Sequence, residues 1–459
     1  MKKSKGLFTL SAAIICACTM TACGGNANDE IKNTNKDIIS EAQTLSRDDL
    51  FKKAAEEIGG GQLKFIGTSS RFKNAIEGFK AELTKYNAAC ANMSITTDTA
   101  VDGEIYAKLC GEIDNGLTTG YDAALVQDGY QLQALGISTG KFLNYIPKEW
   151  SDAKDTDKTK NANPFSLQYN MKTWMVNNGG KGADVVIDNI WDITQAKFKN
   201  HIHTMDPNNE NVNRDWLIML TKDEWCDALE DAFNASTNDN KSLDMAKYDK
   251  YGDQKYAYAF IENYLNNAVF YGDDGAARDA FMKDEGGLGW IVYSKIASIQ
   301  ETASITKKNI TIAALGKDIS DGANPGDSKI AGFGGFMYKH YLQIMPYTQH
   351  PWTSCAFINY LSTTKEGYAA WGKDIGDYPS MPSINVDRTK FGHGTLENYE
   401  FTQKDDGENV FPCLNDPASS WWEDKANVVV EDPAFIVTEY TNVNAFIKDV
   451  IASKSNLHL

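Results

Sequence analysis

Short apolar runs alternate with amphipathic helical segments along the first third of this chain. That alternation restricts the fold more than any other feature. QLKFIG (62–67) reads as a strand and TSSR (68–71) as a polar turn, before helical spacing in FKNAIEGFKAELTKYN (72–87). After ITTDT come a second helix, EIYAKLCGEIDNG (104–116), and a strand, YDAALVQD (121–128). Strands alternating with helices predict an α/β fold around a mostly parallel sheet. Ligands of such folds lie beyond the carboxyl ends of the strands. The positions to watch are therefore Thr68, Ser69 and Ser70 after the first strand, and Gln127, Asp128 and Tyr130 after the later one.

The chain has 459 residues, enough for two or three domain-sized units. Its formal net charge is −17, and losing Lys2, Lys3 and Lys5 with a leader takes −17 to −20. So acidic a surface argues against nucleic acid, which requires a basic footprint. Beyond the first residues no segment has the apolar length of a membrane span. Cys16 and Cys18 fall in the leader. Cys90, Cys110, Cys226, Cys355 and Cys413 are far apart, odd in number and without CxxC spacing, so a zinc ribbon or thioredoxin motif is unsupported. One or two disulfides are open to an exported protein. Cys355, in an apolar helical run, reads as a small buried hydrophobe.

The first 25 residues, MKKSKGLFTLSAAIICACTMTACGG, have a basic start, an apolar run from Leu7 to Cys18, and small residues before Cys23. This is the layout of a secretory signal. It also resembles the lipobox of bacterial lipoproteins, with Met20 where Leu is usual. The resemblance implies cleavage before Cys23, lipidation of Cys23, and a protein anchored on the extracytoplasmic face of the cell membrane. Residues 1–22 would be the signal peptide. The polar stretch 23–45 reads as a flexible tether. Ser46 then reads as an N-cap of the helix DDLFKKAAEEI, and Thr363–Glu366 as a capping box.

Several stretches, taken in order, carry a wider resemblance: QLKFIGTSSRFKNAIEGFKAE, YDAALVQD, DNIWDIT followed by HTMDP, and HPWTSCAFINYLSTTKEGYAAWGKDIGDYPSMPSI (350–384). They are similar to the extracellular solute-binding proteins of ABC importers, in the group that includes sugar, iron and polyamine binders. The resemblance spans roughly residues 60–385. It implies an α/β, two-lobed periplasmic-binding-protein-like fold of type II, with a hinge between the lobes. On this reading lobe 1 comprises 46–165 plus 290–350, and lobe 2 comprises 166–289 plus 351–459. The crossings fall near Phe165–Asn170 and Gly289–Ser294. The implied function is capture of a small polar solute, a sugar or oligosaccharide first of all, and its delivery to a membrane ABC permease. The protein would be a monomer with no cofactor and no catalytic site. Iron or another small organic or anionic solute is the alternative cargo. A surface carbohydrate-active enzyme is the alternative class, because paired glycosidase carboxylates leave no linear signature.

The candidate ligand-binding residues are Ser69, Ser70, Arg71, Asp128, Tyr130, Trp191, Trp290, Tyr293, Tyr338 and Tyr378. Aromatic faces suit a sugar ring, and hydroxyls and carboxylates suit its OH groups. Tyr and Trp are equally common in cores. By resemblance, a polyamine binder would place an acid beside the aromatic in FGGFMYKHY (333–341), where this chain has Tyr338 and Lys339. A ferric binder would carry neighbouring tyrosines. No Tyr-Tyr dipeptide occurs, although Tyr256 and Tyr258 are close. His201 and His203 share one face of a strand and with Asp206 form a weak metal candidate. DPNNENVNRD (206–215) fails the EF-hand pattern at Pro207 and Asn211 and reads as a solvated loop. Ser304–Lys307 is an S-x-x-K without its companion motifs.

Overall fold

The computed structural model describes residues 24–69, 71–179, 185–237, 242–299, 302, 310–314, 330–372, 376–385 and 419–454. Two helices, α1 (Gly24–Ala42) and α2 (Arg47–Ile58), precede β1 (Gln62–Gly67), α3 (Phe72–Thr84), β2 (Ser94–Thr99), α4 (Asp102–Asp114) and β3 (Ala123–Val126). The predicted alternation is thus realised. β1 pairs in parallel with both β2 and β3. Its inward residues Leu63 and Phe65 are fully buried, with Phe65 stacked on Phe357 at 4.9 Å.

The middle of the chain forms β4 (Ser166–Asn177), β5 (Ile202–Met205), α5 (Asn211–Met219), α6 (Lys255–Asn267), β6 (Ala268–Tyr271), α7 (Asp274–Phe281), β7 (Leu288–Val292) and β8 (Ile310–Ile312). There follow β9 (Gly335–Ile344), α8 (Pro351–Thr363), α9 (Lys365–Trp371), β10 (Asp377–Pro379), β11 (Val429–Val430) and α10 (Pro433–Ala452). One sheet carries the order β2-β1-β3-β9-β4-β7-β5-β6, with β10 and β8 also on β4 and β11 on β9.

β4 and β9 are buried along their whole lengths and pair antiparallel from Ser166↔Tyr341 to Thr173↔Gly335. The first part of β4 lies beside the β1–β3 lobe and its second part beside β7. β9 runs the other way, and its last residues pair with β3. The directions follow. β1, β3 and β4 point from the first lobe toward the second. β5, β6, β7 and β9 point from the second toward the first. The carboxyl ends of both lobes' strands therefore face each other, where α/β folds place their ligands.

The second lobe is built on aromatic packing. Trp216 lies 4.2 Å and Trp174 4.5 Å from Trp290, centroid to centroid, with Tyr264 at 5.1 Å from Trp216. All four are fully buried.

Three expectations are corrected. The second crossing strand is β9, not Gly289–Ser294; β7 pairs with β5 and with the far half of β4 and stays inside the second lobe. Helix α8 belongs with the first lobe rather than the second, because Cys355, Phe357 and Leu361 share a core with Leu50, Phe65 and Phe79. The stretch read as a tether is largely helical: α1 buries Ile39 and Ala42 in that same core. Smaller differences concern a cap and the cysteines. Thr364, one residue later than predicted, caps α9 by accepting from the Gly367 N–H at 3.0 Å. Cys90, Cys110, Cys226 and Cys355 are buried free thiols, whereas Cys23 and Cys413 lie outside the described residues.

Asn35 on α1 donates through Nδ2 to the carbonyls of Pro346 (3.0 Å) and Thr348 (2.9 Å). Asn35→Ala strips two carbonyls of a buried donor. It is expected to lower the unfolding free energy by about 1–3 kcal/mol, read as a lower urea midpoint at unchanged slope.

Candidate functional site

Three groups of side chains converge where the two lobes' strand ends meet. The first lobe supplies Arg71 ahead of α3, Asp102 at the start of α4, and Gln127 and Asp128 after β3. The second supplies Glu210, Asn211, Asn213 and Arg214 after β5, and Asp274 after β6. The crossing strands supply Gln168, Asn170 and Lys172 from β4, and Tyr338 and His340 from β9. Alternate residues of a strand share a face, so one polar row from each strand is presented together.

The row is knit by hydrogen bonds. Gln168 Nε2 donates to Asn170 Oδ1 at 3.3 Å, and Asn170 Nδ2 donates to the Tyr338 hydroxyl at 3.1 Å. Lys172, 1 % exposed, donates through Nζ to Asn213 Oδ1 at 2.8 Å. The same ammonium lies 3.4 Å from Glu210 Oε2 and 3.8 Å from Asp274 Oδ1. Glu210 caps α5 by accepting the Asn213 N–H at 2.6 Å. Burial raises its pKa and the Lys172 charge opposes that rise.

Burial also pushes the Tyr338 phenol well above its usual range, against the opposing Asn170 hydrogen bond; Asp274, Glu210 and Asp377 push the same way. His340 sits between the carboxamides of Gln127 and Gln168. Burial, with the Arg71 charge, holds its pKa down to about 3, so the imidazole is neutral at physiological pH. Arg71 Nη1 pairs with Asp377 Oδ2 at 2.5 Å.

A second cluster joins the lobes directly. Asp128, fully buried, accepts the Gln131 N–H at 2.8 Å and the side-chain amide of Asn211 from the opposite lobe. Arg214 Nη2 is 3.9 Å from Asp128 Oδ2, and its guanidinium lies 5.0 Å over the Tyr440 ring. Tyr440, on α10, stacks on Tyr130 with 3.5 Å between centroids. On the opposite face of the crossing strands lies a 570 Å³ pocket lined by Lys160, Lys222, Trp225, Lys339, Glu423 and Asp432, among others. Its cations are already matched: Lys160 to Glu423 at 2.5 Å and Lys222 to Asp432 at 3.3 Å, while Lys339 Nζ donates to the Lys160 carbonyl at 2.6 Å.

Of the predicted residues, Arg71, Asp128, Tyr130 and Tyr338 come to this interlobe region. Ser69 stands at its edge and accepts the Arg71 N–H at 3.3 Å; Ser70 lies outside the described residues. Four aromatics do not face the cleft. Trp191 and Trp290 fill the second lobe's core, with Trp191 Nε1 donating to the Leu229 carbonyl at 2.9 Å. Tyr378 accepts from Trp422 Nε1 at 2.7 Å, and Tyr293 packs edge-on against Trp422. These rings satisfy the demand of a large sheet for apolar volume. Tyr256 and Tyr258 are likewise buried in α6.

His201 and His203 do share a face, but their acid partner is Asp284 (2.9 and 2.8 Å), not Asp206. Among the described residues no group of three or more His, Cys, Asp or Glu is placed to hold a metal ion. Ser304–Lys307 lies outside the described residues. The stretch read as a solvated loop, 206–215, instead provides Glu210, Asn213, Arg214 and Asp215, the last three buried. Its position after β5 was the available signal.

The chain matches no protein-family model and no curated protein by sequence. Its fold is similar to that of solved structures. Iron-bound HitA from Pseudomonas aeruginosa aligns at a TM-score of 0.52 and 11 % identity, over 85 % of this chain and 99 % of the other. A ferric binding protein from Campylobacter jejuni aligns at 0.51 and 11 %, over 84 % and 99 %. Ferric iron-binding protein A from Mannheimia haemolytica, in an open conformation, aligns at 0.50 and 10 %, over 85 % and 98 %. The architecture is the two-lobed, type II periplasmic-binding-protein-like α/β fold.

Removing the Lys172 charge tests the site's electrostatics. Lys172→Met leaves Glu210 and Asp274 without their buried cation, which is expected to cost about 3–5 kcal/mol of stability. A carboxyl with a raised native pKa destabilises the native state at high pH and ceases to do so as it is protonated. The loss should therefore be largest near pH 8 and shrink toward pH 5, measured by urea unfolding across that range.

Proposed function

We propose that this chain is the extracytoplasmic solute-binding protein of an ABC importer, anchored through lipidated Cys23. It captures a small polar solute between its lobes and delivers it to a membrane permease. One observation carries this reading: the paired strands β4 and β9 join the lobes and present a buried polar row, Gln168–Asn170–Lys172 and Tyr338–His340, between opposing strand ends. Strand crossings of this kind let a few residues absorb a rotation while each lobe stays rigid.

The lining bears on the cargo. A sugar platform of several aromatic faces is not supported, because Trp191, Trp290, Tyr293 and Tyr378 are committed to packing. What faces the cleft is amide, phenol, carboxylate and ammonium. That set favours a small organic solute recognised through hydrogen bonds and paired charges. Ferric iron is the second reading, favoured by the fold's similarity to iron-bound HitA and to two ferric-binding proteins. Against a bare ferric ion stands Lys172, a fixed cation already seated among Glu210 and Asp274.

The test is a thermal-shift screen of the chain from residue 24 against sugars, organic acids, amino acids and ferric complexes. A true cargo at a hundredfold excess over its Kd adds about 2.7 kcal/mol. Tyr338→Phe, which deletes the hydroxyl that Asn170 reaches, should raise that Kd about tenfold and, by leaving the buried Asn170 donor unpaired, lower the ligand-free stability by about 1–3 kcal/mol. No stabilisation by any class, together with release of sugars from a polysaccharide, would favour the enzyme alternative instead.

A further inference from the structure

Helix α1 does not leave the body as slack chain. Asn28 Nδ2 donates to the Gly116 carbonyl at 2.7 Å, just past the end of α4. Asn35 is tied to Pro346 and Thr348, and Ile39 and Ala42 are in the core. A Cβ on Gly140 would stand 3.2 Å from Lys32 Nζ, so the turn at 136–141 also touches α1. Cys23 is the residue immediately before α1. At 1.5 Å per residue, the Asn28 bond to the body lies only about 8 Å along the chain from the anchor point.

The surface beside this short strut is unusual for the chain. Tyr86, Val101, Leu117, Leu135 and Val186 are the large apolar side chains exposed among the described residues. Leu117, 56 % exposed, follows the Gly116 that Asn28 holds, and Leu135, 40 % exposed, borders the turn that meets Lys32. Lys32, Lys36 and Lys141 lie here beside Asp29, with Lys141 paired to Asp114 at 2.7 Å; burial first, then the Lys36 and Lys141 charges, lowers the pKa of Lys32, and Asp29 opposes them. Exposed leucines a short helical distance from the anchor point, with long lysine side chains beside them, suit the boundary between acyl chains and headgroups.

We propose that this face of the first lobe, made by the amino-terminal half of α1, Gly116–Leu117 and Leu135–Lys141, rests on the bilayer to which Cys23 is anchored. The proposal rests on the anchoring stated above. It makes α1 a strut that fixes the pose of the lobe, in place of a leash.

The full chain, processed and reconstituted in vesicles containing about one-fifth anionic lipid, carries a bimane at Leu117→Cys, Leu135→Cys or Val186→Cys. The unsubstituted chain gives the background of its own thiols. Lipids bearing a nitroxide near the headgroup should quench the reporters at 117 and 135 several-fold more than the one at 186. Ten Gly and Ser residues inserted between Cys23 and α1 should abolish that difference without releasing the protein from the vesicles. Equal, weak quenching at all three positions on protein that floats with the vesicles would overturn the proposal. A difference that survives the insertion would overturn the strut. Failure of the unsubstituted chain to float would overturn the anchoring itself, and the proposal with it.

Discussion

The antiparallel pairing of β4 with β9 is the constraint on which the rest of the molecule depends. Each lobe is completed by a strand that also belongs to the other: β9 pairs with β3 of the first lobe and β4 with β7 of the second. The pair therefore sets the direction of every strand and turns both sets of carboxyl ends inward. Slippage of this register by one residue would exchange the polar row of β4 for its apolar one. Tyr169 and Met171 pack into the second lobe's core, while Gln168, Asn170 and Lys172 face the cleft. The alternation makes the register costly to change.

Burying such a row requires that its members satisfy one another. The means are local. Carboxamides flank His340, Asn170 meets Tyr338, and one ammonium is shared by Asn213, Glu210 and Asp274. The opposite face of the same strands repeats the device: Glu431 accepts from the Tyr341 hydroxyl at 2.7 Å and from the Lys339 N–H at 3.0 Å. Burial moves Glu431 up to about 7 and Lys339 down to about 8. Polar groups are thus buried on both faces of β9, and most are paired, although Gln168 Oε1, Asp274 Oδ1 and Glu431 Oε1 have no hydrogen-bond partner among the described residues; these pairings favour one geometry over sliding alternatives.

The lobe architecture was legible where local pattern decides it. The strand–helix alternation of 62–128 located β1, α3, α4 and β3, and with them Arg71 and Asp128. The second crossing was not legible, because the glycines of KIAGFGGFMYKHYLQIM weaken a strand signal; in the fold Gly335 is pressed against the Lys172 carbonyl, where a Cβ would come within 2.6 Å of it. Aromatic composition misled the site reading. Trp290 and Trp191 are chemically apt for a sugar, yet the wide sheet of the second lobe needed them as filler. The run 206–215 misled in the opposite sense. Its polarity suggested solvent, but Asn213, Arg214 and Asp215 are polar because they face other buried polar groups. Sequence shows how polar a residue is; only the fold shows what it meets.

The contacts between the lobes differ in what a rotation would do to them. Under the proposed hinge, those along β4 and β9 would lie on the axis and keep their partners as the strands twist. Asp128 with Asn211 and Arg214, and Tyr130 on Tyr440, lie away from it and would part. An aromatic stack contributes about 0.5–1.5 kcal/mol beyond its buried area. A hydrogen bond to a charged group contributes about 1.5–3 kcal/mol. Together they form a clasp of a few kcal/mol, comparable to the 2.7 kcal/mol that a cargo at a hundredfold excess supplies. Helix α10 adds Tyr440 to this clasp, packing both on α5 and α6 of the second lobe and on residues 129–137 of the first, so the carboxyl-terminal helix bridges the two. On the proposed function, a clasp of this size would be strong enough to define a closed arrangement and weak enough for cargo binding to govern how often it is occupied.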